Sequence, residues 1–421
     1  MWCFYLNFLL YLFTFLYFFK KKKDIDIYNF LWLFYSAIAL MSCITVWNGD
    51  YFRLFGLKNL DAVSFIPFLL CYIAFYLLFR PLKEIGNNVD LTIIHFKYEK
   101  TLIGIWLIIM LCYLGIRFSE ASFSIASGLA EAYESRHIEG ETLFDYSGNP
   151  LIKRILNFGV LSAACFNPYM LLICIDKIRK KEQLGLVILI VVLCFVPDFL
   201  SAIAQGSRGQ IFNVFLKILF FVILFKSCLP YKIKKWIYIS MSVFVGFMIF
   251  YSFMITIDRV SGSNAETPIG SIMRYFGECF PNLQFNFWDK VDYHPMGDRR
   301  FPDFTGFNKT FSSVDESYIY WQMMTHVPIL NFKTVFGDMY IEFGTIGAFI
   351  FLFIYTFVVD KIIKKKATGY NISFVTLYFS ICLTGFAGLT YTSGFSLFTV
   401  IMILAINFLI KRFYVKKRML G

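Results

Sequence analysis

The chain has 421 residues, of which 58% are hydrophobic, 20% aromatic and only 16% charged. Soluble domains carry about 25% charged residues, so this composition excludes an ordinary soluble protein and predicts a membrane protein with many spans. A formal net charge of +12 is also typical of nucleic-acid-binding proteins. Here the basic residues cluster at the ends of apolar segments, so membrane topology accounts for the charge and we expect no nucleic-acid partner.

Eleven apolar segments predict membrane-spanning helices through a bilayer core of about 30 Å. The first segment is followed by Lys20 to Lys23. A signal peptide carries its positive charge before the apolar core, so we expect this helix to be retained. The predicted spans are 2–19, 28–46, 64–79, 101–118, 153–175, 184–204, 211–225, 236–256, 336–359, 371–389 and 395–410.

The positions of Lys and Arg predict the orientation of these spans. If the N-terminus lies outside, the six cytoplasmic segments hold 25 of the 40 Lys and Arg residues, and the three short outer loops hold three. This predicts a single transmembrane domain over residues 1–421 with the C-terminus inside. Two long segments, 119–150 and 258–334, then form extracytoplasmic loops. The second is rich in aromatic residues, so we expect it to fold.

Metal and cofactor signatures are missing from the sequence. No two of the ten cysteines have the spacing of metal ligands, and the common nucleotide-binding and hydrolase motifs do not occur. We therefore expect no metal, no cofactor and no disulfide framework.

Arg208 lies in the tight turn between the sixth and seventh spans, between Gly206 and Gly209. Its planar guanidinium suits a phosphate group on the outer side of the membrane. The alternative is an interfacial arginine that extends to the headgroups. Asp198 and Lys217 fall at matching depths in the two helices of this hairpin, which predicts an ion pair.

Further arginines are predicted at the same outer level. Arg117 and Arg259 end the fourth and eighth spans, and Arg274 follows in the large loop. Guanidinium groups bind phosphate bidentately and stabilise charge on a leaving group, so this arrangement suits a lipid-linked diphosphate. The alternative is that the loop arginines pair with loop carboxylates. The remaining basic residues of the loop are Lys290, Arg299, Arg300, Lys309 and Lys333.

Two local motifs and the overall plan resemble a known family. The first motif is the outward turn Gly206 to Gly209, and the second is the glycine-rich entry into a span from Phe336 to Gly347. In addition, Arg117 and Arg259 are each followed eleven positions later by a glycine. With about eleven spans and two large outer loops, the chain resembles the O-antigen polymerase family (Wzy-type, oligosaccharide repeat unit polymerase).

The resemblance implies an all-α, GT-C-like glycosyltransferase in the bacterial cytoplasmic membrane, with its active site facing the periplasm. Its substrates would be undecaprenyl-diphosphate-linked oligosaccharides, without metal or cofactor. A chain-length regulator and a flippase would be partners, and the large loop would be a lid over the sugars. Arg208 and Arg259, followed by Arg117 and Arg274, would bind the diphosphate. The acceptor hydroxyl would lose its proton to one of four candidate bases, Glu278, Asp315, Glu316 and His294.

Two alternatives stay open at this stage. An O-antigen ligase would share the fold and the donor but transfer the glycan to a lipid A-core acceptor. A transporter or flippase for lipid-linked oligosaccharides would be expected to show internal repeats, charges in several helices and short loops.

Overall fold

The computed structural model describes residues 1–49, 63–85, 89–90, 98–128, 149–260, 268–307, 311, 314–329, 332–363, 367–368, 371–388 and 397–412. These residues are helical apart from a few connections and two short strands. In chain order the elements are α1 (Trp2–Lys22), α2 (Ile27–Trp47), α3 (Ile66–Lys83), β1 (Val89–Asp90), α4 (Glu99–Ser127), α5 (Pro150–Lys180), α6 (Leu184–Ala204), α7 (Arg208–Phe225), α8 (Tyr231–Val260), α9 (Pro268–Gly277), α10 (Cys279–Asn282), a π-helical turn (Leu283–Phe287), α11 (Pro302–Thr305), α12 (Val314–Thr325), α13 (Thr334–Ile363), β2 (Ala367–Thr368), α14 (Ile372–Thr384) and α15 (Leu397–Arg412).

Each of the eleven predicted spans coincides with one of these helices. In the described part of the chain, seven helices are long and apolar enough to cross a membrane, namely α1 to α6 and α13. Three shorter apolar helices cover Gly209–Phe225, Ile372–Thr384 and Thr399–Phe408. The chain is therefore a polytopic membrane protein. The count of eleven spans and their orientation stay predictions.

Polar side chains fix where several of these helices begin. Asp26 accepts a hydrogen bond from the Asn29 amide at 2.8 Å and caps α2. Ser207 accepts from the Gln210 amide at 3.4 Å and caps α7. Both side chains satisfy an N–H group that has no partner within its own helix. Such local signals explain why these helices start close to their predicted positions.

The chain folds into two compact units, each built from several parts of the sequence. Unit 1 holds α1 to α3, α9 to α12 and most of α13, whereas unit 2 holds α4 to α7 and the β1–β2 pair. Unit 1 consists of Met1–Glu84, Thr256–Lys361 and Ile381–Thr392, and unit 2 of Ile85–Ile255, Ile362–Ser380 and Ser393–Gly421.

The core of unit 1 is largely aromatic. Tyr11 of α1 packs against Tyr35 of α2 and Phe280 of α10, with ring centroids 6.2 and 5.7 Å apart. The Tyr35 hydroxyl donates to the Cys382 carbonyl at 2.8 Å, so this buried polar group has a partner. Because Phe280 belongs to the 258–334 segment, the part of that segment around α10 is buried among the helices of unit 1.

Gly277 at the end of α9 allows this close packing. A Cβ atom at this position would lie 2.5 Å from the Met41 carbonyl oxygen of α2, which is far inside van der Waals contact. The Ser42 hydroxyl donates to the Gly277 carbonyl at 2.6 Å, and the Thr45 hydroxyl donates to the Met273 carbonyl at 3.1 Å. Only glycine permits the two backbones to approach to this distance.

Unit 2 is a helical bundle with polar contacts between its helices. The Lys217 amine donates to the Asp198 carboxylate at 2.9 Å, which confirms the predicted ion pair between α6 and α7. The Ser124 hydroxyl donates to the Ala204 carbonyl at 2.9 Å. Beside the helices, β1 and β2 form a two-residue parallel pair in which Val89 is opposite Ala367.

Candidate functional site

The four arginines predicted to bind diphosphate are divided between the two units. Arg117 and Arg208 belong to unit 2, and Arg259 and Arg274 belong to unit 1. Arg208 is the first residue of α7, and Arg259 lies in the last turn of α8. The side chains of these two residues lie outside the described part of the structure.

The other two predicted arginines are held by carboxylates that follow three and four residues later in the chain. Arg117 donates to Glu120 at 2.6 Å within α4, and both side chains are buried. Arg274 donates to Glu278 at 2.8 Å, which places a candidate base in an ion pair at the end of α9. Spacings of three and four residues bring such pairs together on a helix surface.

The remaining candidate bases lie on different elements of unit 1. Asp315 and Glu316 begin α12, where Glu316 is exposed and the Asp315 side chain lies outside the described residues. His294 lies against α13, with its Nδ1 atom 3.0 Å from the Ile341 carbonyl oxygen. A carbonyl can only accept, so Nδ1 carries the proton, and a neutral ring then has its basic lone pair on Nε2.

A cluster of five charged residues, of which Lys333, Asp338 and Glu342 are buried and the other two are partly buried, forms where the 294–301 segment meets the start of α13. Three cations surround one carboxylate oxygen, Oδ1 of Asp338, which lies 3.0 Å from Arg299 Nη2, 2.6 Å from Arg300 Nη2 and 3.9 Å from Lys333 Nζ. Glu342, one helical turn further along α13, is the second carboxylate. We refer to Arg299, Arg300, Lys333, Asp338 and Glu342 as the charge cluster.

Glu342 holds the 294–301 segment against α13. Its Oε1 atom accepts from the Gly297 and Arg299 amides at 3.1 and 3.2 Å, and its Oε2 atom accepts from Arg299 Nε at 2.9 Å. The Arg299 guanidinium therefore spans both carboxylates, which are one turn apart on the helix. Such charge-assisted bonds are about twice as strong as neutral ones.

Gly344 interrupts α13 two residues beyond Glu342. Its φ of 68° and ψ of −177° are non-helical and lie in a region that only glycine readily adopts. A break leaves carbonyl groups of the preceding turn without donors in the helix. The Ile341 carbonyl is instead contacted by the His294 ring, and the Glu342 carbonyl accepts from the Met296 amide at 2.9 Å.

The start of α13 is fixed by the chain that follows α14. The Thr334 and Val335 amides donate to the Phe386 and Gly385 carbonyls at 3.1 and 2.6 Å. Gly388 has a φ of 91°, and a Cβ atom there would lie 3.3 Å from Lys333 Cγ and 3.4 Å from Asp338 Oδ2. This segment therefore closes over Lys333 and Asp338.

Lys333 is buried among the charged groups of the cluster. Burial lowers the pKa of its amine well below the ordinary value, and Arg299 and Arg300 lower it further. Asp338 and Glu342 oppose this shift but do not reverse it. The amine donates to the Ile329 carbonyl, which a neutral amine can also do. A lysine in this setting loses its proton more readily than an exposed lysine does.

Sequence reasoning placed Arg299, Arg300 and Lys333 among the loop cations but gave them no role. The useful signal was the pair of carboxylates Asp338 and Glu342, four residues apart on one face of an otherwise apolar span. Charges inside a membrane helix need partners, so this spacing indicates cations on a facing segment.

The charge cluster offers cationic hydrogen-bond donors together with a titratable amine in a site with little water. That combination can bind an anion and stabilise negative charge that develops on it.

Comparison with protein-family models, with curated proteins and with solved structures finds no match for this chain.

Proposed function

We propose that the chain is a glycosyltransferase of the membrane that polymerises lipid-linked oligosaccharide repeat units, such as those of O antigen or another surface polysaccharide. The growing glycan would leave its undecaprenyl diphosphate and join the sugar of an incoming lipid-linked unit. The observation that supports this proposal most directly is the buried cluster of three cations around a single carboxylate oxygen at the start of a membrane helix.

Within the cluster, the three cations have different tasks. Arg299 is engaged by both Glu342 and Asp338, so we assign it to positioning. Arg300 is the most open of the three, with 14% of its side chain exposed against 5% for Arg299. A phosphate oxygen would therefore compete with Asp338 for the guanidinium of Arg300, which suits the diphosphate leaving group.

The proton of the acceptor hydroxyl needs a base near this site. Of the four predicted candidates, His294 is in the segment that also carries Arg299 and Arg300, and its ring orientation is set by the Ile341 carbonyl. A ring fixed in this way leaves Nε2 as the proton acceptor. Glu278, Asp315 and Glu316 stay candidates.

The finer architecture that belongs with this function is also part of the proposal. It comprises eleven spans with the N-terminus outside, a GT-C-like arrangement and an active site on the outer face of the bacterial cytoplasmic membrane. A chain-length regulator and a flippase would act with the enzyme. The positive-inside pattern of the sequence supports this orientation.

Reconstitution tests the function directly. The purified protein in vesicles is supplied with an undecaprenyl-diphosphate-linked oligosaccharide, and products are separated by size. We expect a ladder of lipid-linked glycans, and Arg300→Gln should lower its rate about 100-fold or more, as loss of a donor to a developing anion does. Arg179→Gln, at an exposed position of α5, is the matched control.

Other outcomes separate the alternatives. Transfer only to a lipid A-core acceptor would identify a ligase and refute the polymerase. If Arg208→Ala or Arg259→Ala removes the ladder while Arg300→Gln retains it, the diphosphate is bound by the arginines that the sequence predicted.

One observation favours a transporter as the second candidate. α13 is broken at Gly344 beside a group of charges, and discontinuous membrane helices are typical of transporter binding sites. In the same vesicles, a transporter would move the lipid-linked oligosaccharide between leaflets without changing its length.

A further inference from the structure

The charge cluster contains three basic side chains and two carboxylates. Lys333 differs from the two arginines in that its side chain can lose a proton. Arginine does not lose its proton in proteins, whereas a buried lysine readily does. The groups that act on Lys333 are Arg299 and Arg300 from the 294–301 segment, with Asp338 and Glu342 from α13. On the side of α3, the Cys71 thiol contacts the adjacent Thr334 hydroxyl at 3.6 Å.

The net charge of the cluster depends on whether the Lys333 amine is protonated. With a neutral amine, two guanidinium groups face two carboxylates and the cluster has no net charge. With an ammonium group, the cluster carries an uncompensated positive charge, although Lys333 is only 2% exposed and both carboxylates are fully buried. An unpaired buried charge is costly, so the neutral amine is favoured while no anion is present.

An anion reverses this balance. A phosphate group that enters beside Arg300 adds negative charge to the cluster. The two guanidinium groups cannot offset this charge, because Asp338 and Glu342 already balance them. Protonation of Lys333 then offsets one unit of that negative charge, and the ammonium group gains an attractive partner. By thermodynamic linkage, a ligand that favours the protonated state must also bind more tightly when that state is already populated.

We propose that Lys333 couples anion binding to proton uptake: its amine accepts a proton from water when an anion binds to the charge cluster, and releases it when the anion leaves. No covalent bond forms to the anion. The coupling requires only a bound anion, and it rests on the proposed function solely for the identity of that anion as the diphosphate of a lipid-linked glycan.

Titration calorimetry of the purified protein in nanodiscs tests the coupling. Sulfate is the probe, because it carries the charge of a diphosphate diester and does not titrate in the neutral range. Binding is measured in buffers of different ionisation enthalpy, which gives the number of protons taken up. We expect uptake approaching one proton per sulfate, and an affinity that falls by up to about tenfold for each pH unit of increase.

Three variants assign the proton to Lys333. Lys333→Met removes the amine and should abolish proton uptake, and Lys333→Arg should do the same while it keeps a cation. If the Met variant does not fold, the Arg variant still decides. Lys290→Met changes an exposed lysine of the same unit and should take up protons like the unchanged protein.

Sulfate binding without proton uptake, or unchanged uptake in both Lys333 variants, would overturn the coupling, as would the absence of any sulfate binding. These results are distinct from failure of the proposed function. Proton-coupled sulfate binding in a protein that forms no glycan ladder would support the coupling and refute the polymerase. A glycan ladder from a protein that shows no proton uptake on sulfate binding would support the polymerase and refute the coupling.

Discussion

Unit 1 and unit 2 both contain charges within or beside membrane helices, but they balance them differently. In unit 2, Asp198 pairs with Lys217 and Glu120 pairs with Arg117, so each cation has one carboxylate. In unit 1, Arg299, Arg300 and Lys333 all approach one oxygen of Asp338. In a pair of one cation and one carboxylate, the attraction between the charges offsets the cost of removing them from water, and such pairs are typical of structural contacts. In the charge cluster Arg299 and Arg300 offset Asp338 and Glu342, and Lys333 is a third basic side chain without a carboxylate of its own, which is the reason for placing the proposed anion site in unit 1.

The largest expected effect comes from removing the shared carboxylate. Asp338→Asn leaves two arginines and a lysine buried with only Glu342 as counter-charge. Loss of one partner from a buried charged group costs about 3–5 kcal/mol, so we expect a large fall in folded yield and in the thermal midpoint of the purified protein.

Asp360→Asn is the control for this change. Asp360 lies 3.9 Å from Arg80, and both side chains are well exposed, at 41% and 62%. Exposed pairs contribute about 0–1 kcal/mol, so the control should behave like the unchanged protein. An equal fall in folded yield and thermal midpoint in the two variants would refute the prediction that Asp338 contributes more to stability than an exposed carboxylate does.

The helix break gives the next largest effect. Gly344→Ala forces a side chain into a glycine-only conformation, which costs about 1–3 kcal/mol. The new Cβ would also lie 3.3 Å from His294 Nε2 and displace the ring that contacts Ile341. We expect a lower thermal midpoint, whereas Gly115→Ala in α4, where a Cβ meets nothing within 4 Å, should leave it unchanged or raised.

The pH dependence of stability follows from the lowered pKa of Lys333. In the unfolded chain this lysine has its ordinary pKa of about 10.4, whereas in the folded state its pKa is lower and it loses its proton at lower pH. The unfolded state therefore binds more protons, and stability rises with pH between the folded and unfolded pKa values, by up to about 1.4 kcal/mol per pH unit.

Lys333→Met should remove this dependence and raise the thermal midpoint most at low pH. The midpoints of the variant and the unchanged protein, measured across a series of buffers, should converge as the pH increases. A constant difference at all pH values would show that Lys333 does not titrate in this range.

The smallest effect belongs to the balanced pair of unit 2. Asp198→Ala and Lys217→Ala should each lower stability, and the double variant should be more stable than the sum of the two losses implies, with a coupling of about 1 kcal/mol. A double-mutant cycle measured on thermal midpoints would show this. Additive losses would mean that the 2.9 Å contact contributes nothing of its own.

Much of the fold was predictable because its signals are local. Apolar segments long enough for a membrane become helices wherever they occur, so all eleven predicted segments coincide with helices. Asp198 and Lys217 were paired from their depth in consecutive helices, which requires only the rise per residue. Arg117 and Glu120 are three residues apart, and the same local geometry explains their contact.

The charge cluster was not predictable in the same way. Arg299 and Arg300 reach Asp338 across about forty residues that include two short helices and their connections, whose path no local pattern specifies. The helix break was equally hidden, because Gly337, Gly344 and Gly347 look alike in the sequence and only Gly344 takes a positive φ. The predicted roles of Arg208 and Arg259 stay predictions, since their side chains lie outside the described residues.

The aromatic core of unit 1 has a consequence for biosynthesis. Tyr11 and Phe68 are translated early, yet their partner Phe280 follows some two hundred residues later, after α4 to α8. At a synthesis rate of about 5–20 residues per second, α1 to α3 wait roughly 10–40 s in the membrane with this surface uncovered. The aromatic core of unit 1 can therefore be completed only after α4 to α8 have been synthesised, and α1 to α3 need lipid or an insertion factor to shield them meanwhile.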